Sequence, residues 1–185
     1  MKDGDMIIFP TDTVYGLATR LYDDVGLKNI FELKKRDKSK TIPILVSKIV
    51  DINPIAHYND DALKLMTSFW PGPLTIILKS TQDFFKKTGE ATVAVRIPNH
   101  YIALNVIDEF GPMRTTSVNQ SGECELNCLT KIKEKYGDKV FHIYGEYEGK
   151  YGGIPSTVID MSKNELKVIR EGTITFEQLT DALNK

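Results

Sequence analysis

Residues 6–16, MIIFPTDTVYG, open on four apolar side chains that stop at Pro10 and empty into a polar turn. A short apolar run bounded by a proline and a turn reads as a first, buried strand, with a site able to begin where it ends. The pattern changes at Val25: Leu27, Ile30 and Phe31 share one helical face, and Lys34, seven residues after Leu27, continues it. A lysine that extends an apolar stripe at a helix end either snorkels outward or points into a cleft between the helix and its sheet.

Lys34 also begins a basic run, residues 34–40, KKRDKSK, with five cations and only Asp37 against them. The whole chain carries a formal charge of −1, so the run, at +4, leaves the remainder at −5. Positive charge concentrated in this way draws nucleotide phosphates, nucleic acid or anionic membrane alike. The plain alternative is a solvated helix end, where cations complement the macrodipole without any ligand. Lys35 lies off the stripe, and Arg36 and Lys40 fall at or beyond the helix end.

Beyond the run, residues 42–46 form a strand that Pro43 marks as an edge or as irregular at its start. Asn59 caps a helix with a buried face of Ala62, Leu63, Met66, Phe69 and Trp70, stopped by Pro71-Gly72-Pro73. Residues 74–79 follow as a strand. Residues 92–97 alternate, with Val93, Val95 and Ile97 on one face and Thr92, Ala94 and Arg96 on the other. Taken from that strand alone, Arg96 faces solvent. Residues 101–110 read as a helix ended by Gly111-Pro112, and residues 113–117 as a short run. Leu126, Leu129, Lys133 and Tyr136 suggest another helix, stopped at Gly137. Residues 140–144 give a strand, 156–161 and 166–170 a hairpin, and Thr175 with Gln178 a capping box for a terminal helix. Strands and helices alternate without repeat or linker. The class is therefore α/β or α+β, one domain over residues 1–185 with one large sheet.

No apolar run of membrane-spanning length occurs in the 185 residues, and MKDGDMIIFP lacks the features of a secretory signal, so a cytoplasmic protein is expected. Cys124 and Cys128, four apart, would share a helical face and offer no Cys-rich zinc site. His57, His100 and His142 are scattered, with His142 inside an apolar strand, and read as packing or surface residues. The Walker, GxGxxG, GxSxG and HExxH patterns are absent. What remains is a set of polar residues at turns and strand ends: Thr11, Thr13, the basic run, Arg96, residues 116–119, Ser156, Thr157 and Arg170.

The segments PTDTVYGL (10–17), LKKRDKSK (33–40), FWPGPLTIIL (69–78), VAVRIPNH (93–100), TTSVNQSGE (115–123), PSTVIDM (155–161) and IREGTI (169–174) occur in the order and spacing of the YrdC-type threonylcarbamoyl-adenylate synthases. The chain resembles the short, single-domain form of that family. The resemblance implies an open, twisted mixed sheet curved around a positively charged cavity. It also implies a reaction in which L-threonine, bicarbonate and ATP give threonylcarbamoyl-AMP and pyrophosphate, toward N6-threonylcarbamoyladenosine at position 37 of tRNA. The family's K-x-R falls on Lys34 and Arg36, the catalytic pair, and its S-x-N on Ser117 and Asn119. These four, with Lys40 and Arg170, are the implied ATP contacts. Thr13, Arg96 and Ser156 are the implied threonine pocket. Mg²⁺ would come with ATP, no protein ligand being assignable beyond Asp12 as one candidate carboxylate. A downstream tRNA threonylcarbamoyl transferase complex is the implied partner, with tRNA affinity a further expectation.

Lys40-Thr41-Ile42 stands where many members have Lys-Pro-Leu, and Ile44-Leu45-Val46 where several carry a histidine near the substrate. Lys34→Ala or Arg36→Ala is expected to abolish activity with folding unchanged. Two other readings stay open: an RNA-binding module built on the same basic concavity, and a carbamoyl-adenylate-forming relative.

Overall fold

The computed structural model describes residues 1–37, 40–119, 126–145, 153–163 and 165–184. Its centre is a mixed sheet whose ten described strands run β10-β9-β5-β6-β3-β7-β2-β1-β8, with β4 (Ala56–His57) paired to the far end of β5. β1 (Ile7–Phe9) is the expected first strand, buried throughout. The chain then returns antiparallel as β2 (Gly16–Arg20), a strand not anticipated. GLATR has poor strand propensity, but β2 lies between β1 and β7 and is buried on both faces, so position overrides propensity. β3 (Ile44–Leu45) is not an edge: it sits between β6 (Thr92–Arg96), parallel, and β7 (Met113–Ser117), antiparallel. Pro43 is tolerated because it precedes the first paired residue and needs only its carbonyl, which accepts from Thr115 N at 2.9 Å.

The period-2 alternation sorts residues onto two faces. On one face lie Ile8 and Leu17, packed against α1 (Asp24–Lys34) and α5 (Leu129–Tyr136). The same face carries Ile44, the alternate residues of β5 (Leu74–Ser80) and β6, and Ile159 of β9 (Thr157–Asp160). These pack against α2 (Asp60–Phe69), Phe84 of α3 (Gln82–Thr88) and Leu179 of α6 (Phe176–Leu183). On the other face, α4 (Tyr101–Phe110) covers Ile7, Phe9, Ala18, Leu45 and Met113. It stops there, and the remainder of that face, toward β5 and β9, is left as a concavity.

Helix boundaries follow caps. Asn59 accepts from Ala62 N, as expected, although α2 buries Leu65 where the sequence pointed to Leu63, which is exposed. α5 begins at Leu129 with Cys128 as N-cap, so Leu126 precedes it; Ile132 is buried and Lys133 exposed. Cys124 lies outside the described residues. α3 was missed, though Thr81 before it and Gly89 at φ 74 after it are recognisable stops. β8 (His142–Ile143) is short and His142 is exposed. The hairpin pairs β9 with β10 (Lys167–Arg170), its turn residue Asn164 lying outside the described residues.

The capping box at Thr175 is complete, with Gln178 N donating to Oγ1 at 3.3 Å and Thr175 N donating to Gln178 Oε1 at 2.9 Å. Thr175→Ala is expected to lower stability by about 1 kcal/mol, read as a shift in urea midpoint at unchanged m-value. An unshifted midpoint would show α6 to be held by Leu179 packing alone.

Candidate active site

The concavity has a volume of about 320 Å³ and is lined by residues of seven strands, among them Thr75 and Ile77 of β5, Ala94 and Arg96 of β6, and Thr115 and Ser117 of β7. Of the nine residues anticipated as contacts, six line it: Thr13, Arg36, Arg96, Ser117, Ser156 and Arg170. Lys34, Lys40 and Asn119 do not. The six come from the β1–β2 turn, the segment after α1, β6, β7, the approach to β9 and the end of β10. Gly16 also lines it, and a Cβ there would meet Thr115 Cγ2 at 2.6 Å, so the close approach of β2 to β7 requires glycine.

Arg96, far from facing solvent, is 6% exposed. Nε donates to Gly72 O at 2.9 Å, Nη1 to Thr13 Oγ1 at 2.9 Å and Nη2 to Asp12 Oδ1 at 2.6 Å. Burial pulls this guanidinium below its usual range, Asp12 opposes that, and the nearby Arg170 adds to it. Asp12 Oδ1 accepts Asn99 N as well, at 3.0 Å, so this oxygen joins the β1–β2 turn to β6 and to the segment after it. Among the described residues no group of three or more His, Cys, Asp or Glu is placed to hold a metal ion. Thr13 Oγ1 and Thr11 Oγ1 lie 3.0 Å apart, and Thr11 Oγ1 donates to Val14 O at 2.7 Å, which fixes the turn.

Lys34 has a different setting. Its helix packs on the face opposite the concavity, and the side chain, 2% exposed, runs on past Ile30 between helix and sheet. The ammonium donates to Ser117 O, to Asn119 O at 2.6 Å and to Asn119 Oδ1 at 3.1 Å. It therefore pins the end of β7 from behind, and Ser117 Oγ donates in turn to Asn119 Oδ1 at 2.6 Å. Lys35 then adopts the left-handed conformation, φ 49 and ψ 41, with Arg36 N donating to Phe31 O at 3.0 Å. This closing turn ends α1 and sends Arg36 to the concavity while Lys34 stays behind it.

Arg36 donates from Nε to Lys40 O at 3.3 Å and from Nη2 to Thr41 O at 3.0 Å, and partial burial lowers its affinity for the proton. Lys40 itself is exposed, and residues 38–39 of the basic run lie outside the described residues. Arg170 donates from Nε and Nη2 to Ser156 O, at 3.3 and 2.9 Å. Among the described residues neither Arg36 nor Arg170 forms an ion pair, and no Asp or Glu lines the concavity. Two guanidiniums held only by carbonyls, in a pocket without acids, are disposed to take anions bidentately. Arg36 is half-buried and Arg170 exposed, whereas the other buried arginine besides Arg96 serves the fold: Arg114 ion-pairs with Glu90 at 2.9 Å and donates to Ile42 O at 2.9 Å.

The model of the family of Sua5, YciO and YrdC, described as telomere recombination, matches residues 1–172. A Bacillus subtilis threonylcarbamoyl-AMP synthase is 32% identical over 186 residues, covering 97% of this chain and 53% of its own. A Vibrio vulnificus threonylcarbamoyl-AMP synthase is 26% identical over 179 residues, covering 93% of this chain and 94% of its own. Pyrococcus abyssi Sua5 complexed with L-threonine superposes with a TM-score of 0.88 at 32% identity, over 97% of this chain and 54% of that one. The chain thus spans about half the length of two of these relatives and nearly all of the third.

Proposed function

Because the chain belongs to the Sua5–YciO–YrdC family, we propose that it is an L-threonylcarbamoyladenylate synthase, forming threonylcarbamoyl-AMP and pyrophosphate from L-threonine, bicarbonate and Mg-ATP. The observation that carries the reading is a concavity that no described Asp or Glu lines, where two guanidiniums without a carboxylate partner among the described residues, Arg36 and Arg170, share the lining with the hydroxyl residues Thr13, Thr75 and Ser156. The chemistry asks for no protein nucleophile. Threonine's amine, having lost a proton, adds to carbon dioxide derived from bicarbonate to give a carbamate. A carbamate oxygen attacks the α-phosphorus, the bond to the bridging oxygen of the β-phosphate breaks, and pyrophosphate leaves. The protein's work is to hold three anions together and to stabilise charge on the leaving group.

Arg36 and Arg170 are assigned to the phosphates, with Ser117 beside them. Lys34 and Asn119 are assigned to shaping that subsite from behind, and Lys40 to its solvent rim. Thr13, Arg96 and Ser156 are assigned to threonine. Mg²⁺ enters as part of the nucleotide and is held by its phosphates. The product is labile and is handed to a tRNA threonylcarbamoyl transferase, so the setting is cytoplasmic. No described helix is long and apolar enough to cross a membrane.

The test is pyrophosphate release from Mg-ATP with L-threonine and bicarbonate present or withheld, and with serine and allothreonine in place of threonine. Release is expected only with threonine and bicarbonate together. Release driven by carbamoyl phosphate instead would transfer the protein to carbamoyl-adenylate formation.

A further inference from the structure

Thr75 was not among the residues anticipated from the sequence, yet it is 3% exposed, lines the concavity, and its Oγ1 lies 2.8 Å from Ser156 Oγ. Ser156 is otherwise fixed through its backbone. Its carbonyl accepts both Arg170 contacts, and the next residue is locked by Thr157 N donating to Pro73 O at 2.9 Å and Thr157 Oγ1 donating to Ile174 O at 2.7 Å. The remaining freedom of Ser156 is rotation about χ1. Thr75 is suited to remove it, because a β-branched side chain is restricted about χ1 and provides a stiff anchor.

Two hydroxyls at this distance share one proton, and each carries one to give. When Thr75 donates to Ser156, the Ser156 proton is left to point into the concavity, toward an acceptor such as a carboxylate or an alcohol oxygen. We infer that Thr75 is a positioning residue for threonine recognition, acting through Ser156 by fixing the direction in which that hydroxyl donates. This rests on the synthase reading for the identity of the ligand. The same contact extends to the phosphate side, since the Ser156 carbonyl is what Arg170 holds. Thr75 nevertheless touches the hydroxyl and not that carbonyl, so its effect falls on threonine and spares ATP.

The experiment is a double-mutant cycle on Thr75→Val and Ser156→Ala, with L-threonine and ATP affinities measured separately by titration calorimetry. Each single variant is expected to weaken threonine binding about 10-fold, the loss of one hydrogen bond to a charged group, and to leave ATP affinity within about twofold. The double variant is expected to be no weaker than about 10-fold, because Thr75 has nothing left to position once the Ser156 hydroxyl is gone. Thr75→Ser, which keeps the hydroxyl, is expected to restore threonine affinity. A cycle that is additive, at about 100-fold in the double variant, overturns the inference. So does a Thr75→Val variant that binds threonine as tightly as the wild type, which would show that the Thr75 hydroxyl positions nothing. Wild-type protein that binds threonine but releases no pyrophosphate would overturn the synthase reading alone, and protein that binds no threonine would overturn both.

Discussion

Lys34→Ala is expected to unfold more easily and to be nearly inactive, the two losses arising together. The ammonium supplies Ser117 O, Asn119 O and Asn119 Oδ1 in the interior. Truncation removes those three donations and opens space behind β7, for about 3 kcal/mol in all. With the end of β7 released, Ser117 leaves the position from which it lines the concavity, and turnover falls by more than about 100-fold, as for a misplaced contact. Lys34→Met, which keeps the stem but not the donors, is expected to behave in the same way. Urea unfolding alongside pyrophosphate release separates the possibilities. Unchanged stability with lost activity is what the sequence reading implied, and it would mean that Lys34 meets the nucleotide directly.

Arg36→Ala is expected to show the opposite split. Arg36 is half-buried and donates only to the carbonyls of Lys40 and Thr41 in its own loop. Its removal should therefore change stability by no more than about 0.5 kcal/mol. If its guanidinium grips the leaving phosphates, kcat falls by about 100- to 1000-fold. Arg36→Lys is expected not to rescue, because a point charge lacks the two-pronged donor. A normal rate in Arg36→Ala would remove Arg36 from the reaction and leave Arg170 as the phosphate contact.

These two residues mark where sequence reading succeeds and where it stops. Helical period correctly continued the buried stripe from Ile30 to Lys34, but period says nothing of what waits at the end of a side chain. A β7 carbonyl 83 residues away is a tertiary fact. Arg36 reaches the concavity through a left-handed turn at Lys35, and lysine gives no sign of adopting one. Arg96 shows the reverse error. Alternation put it opposite Val95 correctly, and solvent was the default for that face, until Asp12 and Gly72 arrived from other segments. Strand β2 was illegible because GLATR becomes a strand only when two neighbours enclose it. Thr75 was visible in its motif as a strand residue, yet its pairing with Ser156 depends on the parallel register of β5 with β9. The assembled residues carry the resemblance's order along the chain, and the sheet supplies their proximity.

The most direct measurement follows radiolabelled bicarbonate into product. Purified protein is incubated with Mg-ATP, L-threonine and label, and the nucleotides are separated at once. Label in a species that contains both adenylate and threonine, formed in step with pyrophosphate and absent when threonine is withheld, is the predicted result. Label that stays in bicarbonate while ATP remains bound and intact would contradict the synthase assignment.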